Sequence, residues 1–470
     1  MSIYVYNTLT RKKEEFKPLN PPEVKIYTCG VTVYDECHIG HARSLYIFDV
    51  IRRYLEYRNF KVNFVRNITD IDDKIINRAR ELKRDWKELV SEYIASYKKD
   101  LQSLGIRLGD VDEDGEEPRA TKNIPAMIEY IKGLVDKGYA YVTDSGVYFS
   151  VRKFRGYGKL SGQSIDQMLT GVRKEPDETK EDPLDFALWK LSKPDEPFWE
   201  SPWGKGRPGW HIECSVMSQK FLRTDTLDIH AGGRDLIFPH HENEIAQSEA
   251  KTGKQFAKYW IHHGLLTINR QKMAKSLGNF ITIKDFINQY YDVDILKLFF
   301  LSTHYSNPID YNKEKMEEFK KQKKNFNDFF DSVNNWLKIT PTPVSSKEDK
   351  TKIDDICTKF QKAMDDDFNT PVALASLFEL IDLASVYICS DKEEAFCYAK
   401  SKLETFLGIF GIATKPKEEL PPRMVEMMKE RREARAKKDF RTADAIRNDI
   451  QKIFDYLISD TNGSATAKRK

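Results

Sequence analysis

Hydrophobic and polar positions change their period several times over the first seventy residues. Val24 to Cys29 (VKIYTC) reads as a short strand, Leu45, Phe48, Ile51 and Leu55 recur at helical spacing, and Val62 to Val65 is strand-like again. Strand, helix, strand predicts a right-handed βαβ unit, whose ligand crevice lies beyond the carboxyl end of the first strand. Cys29 and His38 stand there. A second such region is expected from Thr226 to Phe300: a strand (TLDIH), a helix beginning near His240, a strand around Trp260 to Ile268, a loop, and a helix from about Ile283. The stretch between the halves opens with acidic residues (DVDEDGEE) and holds one helical segment, Ile124 to Lys137, and strand-like pieces such as GVYFSV, so it reads as an insertion. From Asn312 the pattern is almost wholly helical, broken by TPTPVSSKEDK (340–350) and ATKPKEELPP (413–422). The expected architecture is an α/β, Rossmann-like domain (1–108 and 204–311) with an inserted connective subdomain (109–203). An α-helical bundle (312–412) and a small C-terminal module (413–470) follow.

Composition narrows the class. The chain has 470 residues, 76 Lys and Arg against 73 Asp and Glu, and 40% hydrophobic residues, which excludes a disordered chain and predicts two to four domains. No run approaches the ~18 consecutive apolar residues of a membrane helix, and the start lacks a signal-peptide core, so the expectation is a cytoplasmic protein without a membrane partner. Six cysteines (Cys29, Cys37, Cys214, Cys357, Cys389, Cys397) are too scattered for a disulfide framework and point to metal binding or catalysis. Charge and histidine are both uneven. From Arg423 to Lys470 there are 13 basic and 8 acidic residues, and eight of the nine histidines fall between His38 and His263. Imidazole chemistry therefore belongs to the N-terminal half, and contact with a phosphate backbone belongs to the tail.

Three groups of residues carry candidate chemistry. His38, Gly40 and His41 sit where a loop enters a helix; the histidines share a face, Gly40 leaves room for a ring, and a helix N-terminus offers N–H groups to an anion, which suits ATP. Lys272, Lys275 and Ser276, in KMAKS, occupy a loop between a strand and a helix, where the lysines could neutralise a triphosphate. His240 and Glu244 are four apart and could bind one ion, with Cys214 and Cys29 as soft ligands and Cys37 as the rival to Cys29. A Cys/Cys/His/Glu set suits Zn²⁺.

HIGH and KMAKS together resemble the two signatures of class I aminoacyl-tRNA synthetases, with Ala274 in place of the usual serine. YTCGVTVYD, GWHIEC, FPHHENEIAQS, NITDIDDKII, THYSNPIDY and MDDDFNTPVALA closely resemble the cysteinyl-tRNA synthetases among them, over nearly the whole chain. The resemblance implies a class I synthetase catalytic domain that joins L-cysteine to ATP, with Mg²⁺, and transfers it to tRNA(Cys), in a monomer. It implies one zinc ion per chain on Cys29, Cys214, His240 and Glu244, and ATP on His38, Gly40, His41, Lys272, Lys275 and Ser276. It further implies a cysteine pocket of Thr69, Trp210, His211 and Asp235, and RNA contacts from Arg431, Arg432, Arg435, Lys437 and Lys438. Two other readings stay open: a cysteine ligase acting on an amino-sugar, and a non-catalytic RNA-binding paralogue.

Overall fold

The computed structural model describes residues 2–113, 115–165, 167–168, 179–336, 347–390, 392–413, 421–454, 456–461 and 464–469. Contacts divide the chain into two compact units: Ser2–Val293 with Tyr305–Tyr311, and Asp294–His304 with the described residues from Asn312 onward.

The first unit is built on a four-stranded parallel sheet. Strand β1 (Glu23–Thr32) leads through helix α1 (Ile39–Tyr57) to β2 (Lys61–Thr69); after the insertion, helix α2 (Trp210–Leu222) precedes β3 (Leu227–Gly233), which leads through helix α3 (Glu242–Thr252) to β4 (Ala257–His263). The strand order is β4-β3-β1-β2, all parallel, so the chain winds outward in both directions from the central pair β1 and β3. Ligand crevices form where such winding reverses, at the carboxyl ends of that pair. Every residue of β3 and most of β4 are buried, as expected of a parallel strand covered on both faces.

The insertion contributes helix Ile124–Asp136 and an antiparallel sheet of Ala140–Thr143, Gly146–Phe149, Phe186–Leu191 and Gly206–Pro208. The single strand expected around Trp260 to Ile268 is two: β4 ends at His263, and Leu266–Ile268 joins a separate three-stranded sheet with Gln271–Lys272 and Ile309–Tyr311. Gly264 marks the break, because a Cβ there would come within 2.3 Å of the Asn307 backbone.

The second unit is helical. Helix Thr370–Cys389 starts at an Asn369 cap and buries Ala373, Leu377, Leu380, Ala384 and Tyr387, a stripe at helical spacing. By length and composition alone, Thr370–Ile388 could cross a membrane, with 44% of that window buried inside the fold. Asp294, fully enclosed, pairs with Lys297 and Lys323 at 2.8 and 2.7 Å, and the same lysines donate to the carbonyls of Gly411 and Ala413. After the helices, in a stretch that reads as almost wholly helical, Tyr456–Thr461 pairs antiparallel with Ser464–Arg469.

Candidate active site

A β-bulge places the first candidate ligand. Pairing of β1 with β2 slips between Thr28 and Val31, and Gly30 approaches β2 so closely that a Cβ would fall 1.5 Å from the Asn67 carbonyl oxygen. Asn67 Oδ1 accepts the Gly30 N–H at 2.9 Å and fixes the bulge. Cys29 lies on that bulge. Cys214 is on α2, and Glu244 is in the first turn of α3. The helix expected near His240 begins two residues later, at Glu242: residues Ile237–His241 form a wider turn with an extended Phe238, and His240 projects from it.

These four side chains converge. Cys29 Sγ lies 3.7 Å from Cys214 Sγ, Cys214 Sγ 3.4 Å from His240 Nε2, His240 Nε2 3.0 Å from Glu244 Oε1, and Cys29 Sγ 3.6 Å from the same oxygen. Ordinary zinc bond lengths give tetrahedral edges of roughly 3.8 Å between sulfurs, 3.6 Å from sulfur to nitrogen and 3.3 Å from nitrogen to oxygen. The edges match within a few tenths of an ångström, so the residues present fit the ion. The protonation states fit as well. Burial works to raise the Cys214 thiol, yet the Cys29 hydrogen bond and the His240 imidazole bring it down to about 6. Glu244 is held ionised, well below the carboxylate range, because His230 and His240 outweigh its burial. Cys37, the rival ligand, lies elsewhere: burial raises its thiol beside Asp100 and Glu36.

Sequence reading missed the histidines around this set. His230 Nε2 lies 2.7 Å from Glu244 Oε2, and His241 Nε2 lies 3.3 Å from Cys29 Sγ. Cys29, His230, His241 and Glu244 thus form a second cluster of possible metal donors, sharing two members with the first. Behind it, His241 Nδ1 meets His262 Nε2 at 2.8 Å, and His262 Nδ1 meets the Thr8 hydroxyl at 2.8 Å. Such partners orient ligands and fix their tautomers. Their signal in the sequence was the PHHEN run, His230 in the middle of one nearly fully buried strand and His262 near the end of another, where burial on both faces leaves no period to mark a face.

Of the expected pocket residues, two adjoin the metal set. The Trp210 ring stacks on His240 at 4.0 Å, and His211 Nδ1 lies 2.9 Å from His240 Nδ1. Thr69, at the end of β2, donates its hydroxyl to Glu213 at 2.6 Å. Asp235 is exposed in the turn after β3, its carboxylate lying against Gly233 near His263.

At the start of α1 the open anion site expected from the sequence is closed. His38 is the N-cap: its Nδ1 accepts from the N–H of Gly40 at 3.0 Å and of His41 at 3.2 Å, and His41 Nδ1 accepts from the His38 N–H at 3.3 Å. The Ile39 and Ala42 N–H groups donate to Ile281 and His38 carbonyls. The two rings stack at 3.7 Å. Burial lowers His38 to about 4 and His41 to about 3, so both are neutral at pH 7, and with each Nδ1 accepting, the proton sits on Nε2. They therefore offer N–H donors rather than positive charge.

The KMAKS segment lies against this helix. A Cβ on Gly40 would meet Met273 Cε at 3.2 Å, Phe280 packs edge-on to His38 at 5.2 Å, and His38 bridges Thr282 through the backbone. Asn279, which the sequence reading passed over, ties the loop by accepting from the Ala274 N–H at 2.8 Å and donating to the Lys272 carbonyl at 3.1 Å. Lys272 is exposed, and Lys275, also exposed, pairs with Asp35. The side chain of Ser276 lies outside the described residues.

The tRNA synthetases class I (C) catalytic domain matches residues 15–321, and a DALR domain matches residues 359–414. Among curated proteins, a cysteine–tRNA ligase of Geobacillus thermodenitrificans is 47% identical over all of this chain and 99% of its own length. One from Thermodesulfovibrio yellowstonii is 50% identical over 95% of each. The chain belongs to the cysteine–tRNA ligase family of class I tRNA synthetases. Solved structures place that family's fold in its wider class. A Mycobacterium tuberculosis methionyl-tRNA synthetase in complex with methionyl-adenylate aligns with a TM-score of 0.60 over 91% of each chain at 13% identity. The leucyl enzyme of Agrobacterium radiobacter K84, in a ternary complex with tRNA, aligns with a TM-score of 0.60 over 84% of each at 12%.

One expected RNA contact is corrected. Arg431 is buried, and its Nε donates to the Ala443 carbonyl, joining helix Pro422–Ala436 to helix Phe440–Phe454. Lys437 and Lys438, at the turn between those helices, are exposed.

Proposed function

We propose that this chain is a cysteine–tRNA ligase: it activates L-cysteine with ATP and Mg²⁺ to cysteinyl-adenylate, releasing pyrophosphate, and transfers the cysteinyl group to tRNA(Cys). The observation that carries the reading is the convergence of Cys29, Cys214, His240 and Glu244 at tetrahedral edge lengths, in a chain whose full-length relatives bear that name. These residues would hold one zinc ion, which by accepting a further ligand would bind the sulfur of cysteine as a thiolate and so distinguish it from serine.

The remaining roles fall to the chain's own groups. Trp210 and His211 wall the substrate beside His240; Thr69 and Asp235 complete the pocket, Asp235 from its rim. The Nε2–H groups of His38 and His41 donate to the phosphates, and Gly40 lets the nucleotide lie close. Lys272 and Lys275 supply the positive charge as the cysteine carboxylate attacks the α-phosphate and negative charge moves to the leaving pyrophosphate, with Ser276 beside them. Lys275 leaves Asp35 to do so. No protein nucleophile is required. Residues 109–203 and 312–412 contact the acceptor stem and 413–470 the anticodon, with Arg435, Lys437 and Lys438 meeting the RNA backbone; the side chain of Arg432 lies outside the described residues. It describes a monomer acting in the cytoplasm.

An apolar pocket cannot strongly reject a near-isostere that carries a hydroxyl, so selectivity here rests on the soft-ligand site. The test is ATP–pyrophosphate exchange with serine in place of cysteine. We expect serine to support less than about one-thousandth of the cysteine rate, roughly 4 kcal/mol of discrimination. Comparable rates, followed by hydrolysis of seryl-tRNA, would contradict it.

A further inference from the structure

Arg43 follows His41 by two positions on α1 and is completely buried. Its Nη1 donates to the carbonyls of Gly264 at 2.6 Å and Leu265 at 3.0 Å, and its Nη2 to those of Tyr305 at 3.2 Å and Asn307 at 2.6 Å. Burial lowers it only to about 10, so the group remains a cation at neutral pH.

The four carbonyls belong to two segments with a shared destination. Gly264 and Leu265 lead into Leu266–Ile268, which pairs antiparallel with Gln271–Lys272; Tyr305 and Asn307 lead into Ile309–Tyr311, which pairs with the same strand in parallel. The segments cross in contact: the Gly264 N–H donates to the Tyr305 carbonyl at 2.9 Å and the Ile309 N–H to the Leu265 carbonyl at 3.0 Å. Four carbonyl oxygens drawn to one point repel unless a donor-rich cation lies between them. A planar guanidinium can serve both pairs at once, whereas the ammonium of lysine is a point charge with three donors.

We infer that Arg43 is a positioning residue for the activation step, fixing the root of the strand pair that ends in Lys272 to the helix that begins at His38. The tip of the same loop reaches that helix through Met273, Phe280 and Thr282, so the spacing between the two signature motifs is set at both ends. Sequence alone hides this, because Arg43 reads as an ordinary polar helix position. The inference deepens the proposed activity and rests on it.

The test uses the full-length chain in cysteine-dependent ATP–pyrophosphate exchange, comparing wild type, Arg43→Lys, Lys272→Ala and the double variant. Arg43→Lys should lower kcat about 30-fold or more while leaving the cysteine KM within about twofold and the zinc content unchanged. Because Arg43 acts through the position of Lys272, the same substitution in the Lys272→Ala background should cost less than about threefold. Four results overturn the inference: wild-type kcat in Arg43→Lys, an equal fold-loss in both backgrounds, a matching rise in cysteine KM with loss of zinc, or a variant that does not fold. A wild-type chain that exchanges nothing would instead overturn the proposed activity, and this inference with it.

Discussion

Cys29 and Cys37 are eight residues apart, Cys29 within β1 at the Gly30 bulge and Cys37 beyond the end of that strand, and it is Cys29 that meets Cys214. Cys37 is instead enclosed near Asp100 and Glu36, where burial keeps it a neutral thiol. Cys214→Ser should therefore lose bound zinc and cysteine activation together, whereas Cys37→Ser should keep the metal. Elemental analysis of the purified variants reads both outcomes, and zinc loss from Cys37→Ser alone would reverse the assignment. The cluster of Cys29, Cys214, His240 and Glu244 was legible in the sequence, His240 and Glu244 through their spacing of four and the choice of Cys29 over Cys37 through the resemblance. The partners behind them were not: His230 and His262 lie on strands buried along nearly their whole length, and His241 ends a partly exposed turn, so no spacing separates a functional imidazole from a packed one. The roles of His38 and His41 were legible only in part. Their place at a helix start was clear, but the burial that keeps them neutral and the mutual capping that leaves the proton on Nε2 depend on the folded geometry.

Among the elements, those with a strong period were the easiest to read: β1, α1 and β2 appear where expected, although β1 and β2 are both longer at each end. Boundaries set by tertiary contact were harder. The Ile237–His241 turn delays α3, and the close approach of Gly264 to Asn307 divides one expected strand into two. The KMAKS loop shows how an element acquires its shape from one side chain. Asn279 makes two hydrogen bonds across it, each contributing on the order of 1 kcal/mol. Asn279→Ala should slow adenylate formation by about tenfold with unchanged zinc and cysteine KM, as single-turnover kinetics would reveal. An unaltered rate would mean that Met273 and Phe280 hold the loop without it.

For the molecule as a whole, the α/β unit contains every residue assigned to activation, and the basic C-terminal region lies in the other unit. A cut between residues 414 and 420 spares Ala413, whose N–H donates to Asp294 and whose carbonyl accepts from Lys323, so the helical core up to that point keeps its buried ion cluster. The shortened chain should retain zinc and cysteine-dependent exchange but bind tRNA weakly. In the full chain that affinity should fall steeply with salt as phosphate contacts release counterions. Filter binding at several salt concentrations measures both; full tRNA affinity in the shortened chain would remove the RNA role from the last module. One zinc-bearing site is proposed to activate cysteine for tRNA. The decisive measurement supplies the intact, zinc-loaded chain with ATP, cysteine and tRNA(Cys) and follows pyrophosphate exchange and cysteinyl-tRNA in the same preparation. Cysteine-dependent exchange and stoichiometric charging are expected; exchange without charging would favour a ligase acting on another acceptor such as an amino-sugar, and the absence of exchange would leave only an RNA-binding protein.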